Sequence, residues 1–159
     1  VLIVAMVPMV SFAQKKVTSP AETVSGKING ATITIKYGSP SVKGRAIWGA
    51  LVPYDKVWRA GANDATTFET DKTITIEGKQ LPAGKYSFFV IPNENESIII
   101  FNKEAKQWGS YDYKASSDQL RVTVKNENGD ALVEKLEYKI METRIELLWE
   151  KLIISFEVK

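Results

Sequence analysis

The 159-residue chain contains neither cysteine nor histidine. Without cysteine there is no thiol nucleophile, no disulfide and no thiolate metal site. Without histidine there is no Ser-His-Asp triad, no common type of zinc site and no imidazole to act as a general base. Catalysis would have to use carboxylates, lysine, tyrosine or a metal held by oxygen ligands. We therefore assign no catalytic residue, expect no cofactor and no metal, and favour a non-enzymatic protein.

The chain also lacks any long run of one charge. It has 21 basic and 19 acidic side chains, a net charge of +2, and no basic run longer than Lys15-Lys16. A nucleic-acid-binding domain would show a basic stripe, so we exclude nucleic acid as a partner. Apolar residues make up 44% and charged residues 25%, which is typical of a globular protein. A chain of this length can fold as one domain without disulfides or metals.

Only the start of the chain is apolar over a long stretch. It opens with ten apolar residues and then places the small residues Ser11 and Ala13 two positions apart. Such a run is too short to span a bilayer but suits a signal peptide with its cleavage site. We predict a signal peptide over residues 1–13, truncated at its basic start, and export to the periplasm or medium with Gln14 as the new terminus. A buried first strand is the alternative, which Pro8 disfavours.

The rest of the chain alternates apolar and polar residues with period two, which predicts β-strands. After a polar lead-in over residues 14–30, with one edge strand near 22–27, we predict a single domain over 31–159. Alternating segments are 31–37, 73–77, 120–125, 135–140, 145–149 and 152–158. The runs 86–91 and 98–101 are apolar on both faces, as central strands are. At most, residues 103–108 form one helical turn.

Turn-forming residues separate these segments, with the clearest at residues 82–84, 92–95 and 126–130, and a tight turn at Glu150-Lys151. The pattern predicts an all-β fold, an antiparallel two-sheet sandwich that is jelly-roll-like or a squat barrel, with one long ordered loop. No segment outside the N-terminus approaches the length of about 20 apolar residues needed to cross a membrane.

That long loop covers residues 39–65 and is rich in aromatic and basic side chains. Structureless loops beyond about 15 residues are uncommon in compact domains and are often functional. An indole ring beside a guanidinium and an amide can stack a ring-shaped ligand and bind its anionic or hydroxyl groups. Our candidate ligand-binding residues are Lys43, Arg45, Trp48, Tyr54, Trp58, Arg59, Asn63, Trp108 and Tyr111.

Two other interpretations of these residues stay open. In a purely structural one, Arg59 and Asn63 satisfy backbone carbonyls while Trp48 and Trp58 plug the open end of the sandwich. In the other, the protein is a hydrolase of envelope carbohydrate, which needs two acids about 5–10 Å apart across a cleft. Candidate acids for that role are Asp64, Glu69, Glu104 and Asp112.

Several motifs together resemble one family. They are Ser39-Pro40, Lys43-Gly44-Arg45, Trp48-Gly49, Leu51-Val52-Pro53-Tyr54, Val57-Trp58-Arg59, Gly61-Ala62-Asn63, Leu81 to Ser87, Ile91-Pro92, Phe101-Asn102-Lys103 and Gln107-Trp108-Gly109. The chain is similar over residues 24–158 to domain of unknown function 2911, found in exported proteins of Gram-negative bacteria. The resemblance implies export but no catalytic residue. Asp55 and Ala60 stand where the family pattern has glycine and threonine.

We therefore expect an exported protein that binds a small polar ligand, a glycan or an envelope protein through the loop 39–65. A carboxylate-dependent hydrolase is the first alternative. A structural accessory protein of the envelope is the second.

Overall fold

The computed structural model describes residues 19–159, so the predicted signal peptide lies outside the described residues. Within that range the chain forms nine strands and one short 3-10 turn at Ala115–Ser117. The strands are β1 (Ala21–Ile28), β2 (Ala31–Gly38), β3 (Thr67–Thr70), β4 (Ile74–Ile76), β5 (Lys79–Leu81), β6 (Gly84–Pro92), β7 (Glu96–Asn102), β8 (Asp118–Ile140) and β9 (Arg144–Glu157).

Seven strands form one antiparallel sheet in the order β1-β2-β3-β6-β7-β8-β9, and β4 with β5 forms a small second sheet. Strand β8 is 23 residues long and pairs with two partners. Its first part pairs with β7 and its second part with β9. The curved sheet brings β1 against the end of β8, where a Cβ added to Gly26 would lie 2.9 Å from Ile140 Cγ2. The predicted all-β antiparallel fold is confirmed, with the large sheet almost closed on itself.

The core lies inside this curved sheet and is rich in phenylalanine. Phe68, Phe88, Phe101 and Phe156 are all buried, and their rings pack edge-on or offset at centroid distances of 5.0 to 6.4 Å. Strands β6 and β7 occupy the middle of the sheet and are buried on both faces, as their apolar sequences predict. A second apolar cluster around Phe89 covers their outer face.

Two predicted turns are wrong. The chain passes through residues 126–130 within β8, and through Glu150-Lys151 within β9. Register shifts after Asn128 and after Val133, and a left-handed φ of 57° at Glu150, mark bulges at these places. A β-bulge contains the same residue types as a turn, but the strand continues through it. The strand bends at the bulge. Residues 103–108, for which at most one helical turn was expected, form none.

The loop 39–65 is ordered, as predicted, because both of its ends join the sheet. Near its start, the Val42 amide donates to the Glu134 carbonyl at 2.8 Å, on strand β8. Near its end, Trp58 and Val90 of β6 exchange two backbone hydrogen bonds of 2.8 and 3.0 Å. The loop therefore crosses one end of the sandwich from β8 to β6. Among residues 19–159, no helix has the length and hydropathy that crossing a lipid bilayer requires.

Candidate functional site

Three tryptophans pack together where the loop crosses the end of the sandwich. The rings of Trp58 and Trp149 stack at 6.1 Å with an interplanar angle of 14°, and Trp48 meets both edge-on at 5.5 and 6.0 Å. Trp149, from β9, is only 1% exposed, and the two loop tryptophans are partly exposed. Trp48 Nε1 donates to the Trp149 carbonyl at 3.3 Å. Trp48 and Trp58 thus close the end of the core, and each also lines a surface pocket.

The first pocket, here termed the basic pocket, has a volume of about 370 Å³. Lys43, Arg45 and Arg59 line it together with Trp58 and Trp149, and its lining includes no carboxylate. No ion pair within residues 19–159 includes any of its three cationic side chains. The basic pocket therefore places three cationic side chains beside indole surface, with no carboxylate in its lining.

Hydrogen bonds to the backbone hold the loop side of the basic pocket in place. Arg45 Nε donates to the Val42 carbonyl at 3.0 Å and Arg45 Nη2 donates to the Ser41 carbonyl at 2.5 Å. Lys43 has a left-handed φ of 49°, and its backbone amide donates to Glu134 Oε1 at 2.9 Å. The Glu134 carboxylate is thus engaged by an amide, so it fixes the turn without pairing with the Lys43 ammonium.

Arg59 is held by its neighbours in the chain. Trp58 before it is bonded to β6, and the carbonyl of Ala60 after it accepts hydrogen bonds from Thr66 Oγ1 at 2.9 Å and from the Tyr138 hydroxyl at 2.6 Å. Arg59 Nε is buried and has no hydrogen-bond partner among residues 19–159. This atom does not satisfy a buried carbonyl, which the structural interpretation required of Arg59.

A second pocket, here termed the polar pocket, has a volume of about 610 Å³ and shares Arg45 with the basic pocket. It combines aromatic, amide and acidic side chains. These include Trp48, Tyr54, Asn93, Glu94, Asn126, Asn128 and Glu150. Of the residues that line it, only Arg45, Trp48 and Tyr54 were predicted from the sequence to form a site. The amides and acids come from the β6–β7 turn, β8 and β9, so no local motif connects them with the loop.

Three candidate residues lie outside both pockets. Asn63 Nδ2 donates to the Ser19 carbonyl at 3.3 Å, and Asn63 lines a separate depression of about 280 Å³. Trp108 and Tyr111 are 60% and 83% exposed on the segment after β7. That segment reaches the loop through a hydrogen bond of 3.1 Å from the Gly109 amide to the Asn63 carbonyl. Trp108 therefore lies beside the loop and lines neither pocket, although a Cβ added to its neighbour Gly109 would be 3.7 Å from Arg59 Nη1.

The four acids suggested for a hydrolase are exposed and do not share a pocket. Asp64 lines two depressions, and neither includes Glu69, Glu104 or Asp112. Within the described part of the chain, no three acidic side chains converge as they would around a metal ion.

The two departures from the family pattern also have a structural meaning. Asp55 adopts a left-handed φ of 61°, the conformation that glycine takes most easily. Ala60 is 0% exposed, so a side chain at this position does not contact a ligand.

The motifs singled out in the sequence are distributed over nearly the whole fold. No curated protein and no solved structure matches this chain. A family model described as Protein of unknown function (DUF2911) matches residues 19–158, which include all nine strands and both pockets. The chain therefore belongs to the family described as Protein of unknown function (DUF2911).

Proposed function

We propose that this protein binds a small anionic ligand in the basic pocket and does not transform it. The observation that carries the proposal is the convergence of Lys43, Arg45 and Arg59 on one pocket whose lining has no carboxylate. Cationic side chains placed together repel one another, and an acidic ligand relieves that repulsion. Guanidinium groups bind carboxylates and phosphates with two parallel hydrogen bonds, which gives orientation as well as affinity.

The volume and the aromatic lining of the basic pocket favour a ring that bears a carboxylate. Its volume of about 370 Å³ falls at the lower end of the range for small-molecule sites, about 300 to 1,000 Å³. Trp58 offers apolar ring surface to the C–H face of a sugar, while the cations take the acid group. A uronic acid has both features, so we propose a uronic-acid sugar as the ligand.

A direct binding experiment tests this function. D-glucuronate and D-galacturonate are titrated into the protein by calorimetry and by tryptophan emission, with D-glucose as the uncharged comparison. We expect one uronate to bind and glucose not to bind. Because Trp58 and Trp149 wall the pocket, binding should change their emission. High salt should weaken binding, since the attraction is between charges at a solvent-accessible site.

Matched variants connect the binding to the pocket. Arg59→Met removes one pocket cation, and Lys79→Met removes one exposed cation on β5, outside both pockets. We expect Arg59→Met to weaken uronate binding at least about tenfold, equivalent to about 1.4 kcal/mol, and Lys79→Met to leave it unchanged. Absence of uronate binding, equal binding of glucose, or equal losses in both variants would contradict the proposed function.

We also propose that the protein is exported, on the basis of its apolar start and the small residues Ser11 and Ala13. N-terminal sequencing of the protein from its native host should then begin at Gln14. Recovery of the uncleaved chain from the cytosol would contradict this proposal. Export would place the basic pocket in the compartment where envelope and environmental glycans are found.

A further inference from the structure

We propose that the polar pocket is a second subsite, which binds an uncharged sugar unit joined to the acid in the basic pocket. The ligand class is then an aldobiouronic acid, a disaccharide of a uronic acid and a neutral sugar, or a longer chain that contains this unit. This inference rests on the proposed function and specifies its ligand. It adds residues from β8, the β6–β7 turn and further positions of β9 to a site built mainly by the loop.

The two pockets adjoin along one short stretch of the loop. Val42 and Gly44 line the polar pocket, Lys43 lines the basic pocket, and Arg45 lines both. The Arg45 guanidinium is fixed by two loop carbonyls at 3.0 and 2.5 Å. A fixed donor at the boundary can bond to groups on either side of it, which is what a ligand that extends across both pockets requires.

Aromatic side chains give the polar pocket a surface for the apolar face of a sugar ring. Trp48 is held edge-on against Trp58 and Trp149. Tyr54 lies close to the backbone of Gly49, where an added Cβ would be 2.7 Å from Tyr54 Cε2. Gly49 has a φ of 79° and leaves the space that the tyrosine ring occupies. Both rings are therefore positioned before a ligand arrives, which lowers the entropy cost of binding.

Of the polar side chains around the polar pocket, two are fixed by hydrogen bonds and two are exposed. Asn126 Nδ2 donates to the Asn93 carbonyl at 2.7 Å and Asn126 Oδ1 accepts from Ser97 Oγ at 2.7 Å. Asn93 Nδ2 donates to Asp55 Oδ1 at 2.8 Å. These bonds build a rigid rim. Asn128 and Glu94 are exposed at that rim, where an amide and a carboxylate can bond to sugar hydroxyls.

The charges of the two pockets decide which end of the ligand goes where. The polar pocket combines Arg45 with two acids, Glu94 and Glu150, whereas the basic pocket has three cations and no acid. A ligand carboxylate is therefore attracted to the basic pocket and repelled from the polar pocket. Hydroxyl groups suit the polar pocket, because carboxylates accept their hydrogen bonds. The acid-bearing ring is thus placed at Arg59 and the neutral ring at Tyr54.

The test compares monosaccharides with disaccharides on the same protein. A panel of aldobiouronic acids with different linkages is titrated beside D-glucuronate, D-galacturonate and the neutral disaccharide cellobiose. We expect at least one aldobiouronic acid to bind at least tenfold more tightly than its uronic acid alone. Cellobiose should bind more weakly than that uronic acid. The double variant Glu94→Gln with Asn128→Ala should reduce the disaccharide-to-monosaccharide affinity ratio to about one, whereas Arg59→Met should weaken both ligands.

The possible outcomes separate this inference from the proposed function. If no uronate binds, the proposed function fails and this inference fails with it. If uronates bind but no disaccharide binds more tightly, or if the double variant leaves the ratio unchanged, only the second subsite is overturned. Chromatography of the titrated samples provides a further check. Cleavage of a disaccharide would contradict the proposed function, in which the ligand is bound without being transformed.

Discussion

Arg59 offers a test in which stability and binding should change in opposite directions. Its Nε is buried without a hydrogen-bond partner among residues 19–159, and two other cations line the same pocket. A buried polar group without a partner costs about 1–3 kcal/mol. Arg59→Met keeps much of the length and apolar surface of the side chain and removes both the unpaired N–H and one repelling charge. We therefore expect the free energy of unfolding to rise by about 1 kcal/mol, the lower end of that range.

Urea denaturation followed by tryptophan emission measures this change, with Lys79→Met as the control. Surface substitutions away from special features usually shift stability by less than about 0.5 kcal/mol, which is the expectation for Lys79→Met. A substitution that stabilises the fold while it removes binding indicates a residue retained for function. A fall of more than about 1 kcal/mol in Arg59→Met would refute the reasoning, because loss of structural hydrogen bonds is what costs that much.

Two further experiments test the fold. Gly38→Ala should destabilise the protein by about 3 kcal/mol or prevent folding, because the added Cβ would lie 2.2 Å from the Ala62 carbonyl oxygen. Gly129→Ala is the control and should cost less than about 1 kcal/mol, because its Cβ would be 3.4 Å or more from its neighbours. Equal losses of stability in thermal denaturation would contradict this expectation. Burial raises the pKa of the Tyr138 hydroxyl well above its usual value. The contribution of Tyr138 to the free energy of unfolding is therefore complete below the unfolded-state pKa of about 10. Above that pH it declines by up to about 1.4 kcal/mol per pH unit. Tyr138→Phe should therefore flatten the alkaline fall in stability, and parallel urea-denaturation profiles for the two proteins would exclude this cause.

Most strands were predictable because they bury one face, and the alternation of apolar and polar residues records that burial. Strands β6 and β7 were predictable from continuous apolar runs, because they are buried on both faces. The short strands β3 and β5 carried neither signal and were not predicted. The continuity of β8 and β9 could not be predicted. Asn128-Gly129 and Glu150-Lys151 have the residue types of turns, and they adopt bulges because the flanking segments of both strands pair with each other over a long distance. Local sequence favours a change of direction at these residues, but only the partner strand determines whether the chain turns back or continues.

The site was predictable only where it is local in sequence. Lys43, Arg45 and Arg59 lie in one loop, so their residue types already indicated a cationic surface. Glu150 of β9 joins the polar pocket only through the pairing of β9 with β8, and Asn93 joins it only through the turn between β6 and β7. No spacing along the chain records such convergence, because it depends on the curvature of the sheet.

The position of Trp149 has a consequence for the kinetics of folding. This residue walls the basic pocket, yet it belongs to β9, the last strand of the chain. A chain in which only β1 to β7 have formed lacks that wall, and its loop tryptophans have no third ring to pack against. In a refolding experiment, the packed cluster of three tryptophans should therefore form only when β9 docks on the rest of the sheet, so that the change in tryptophan emission reports that docking.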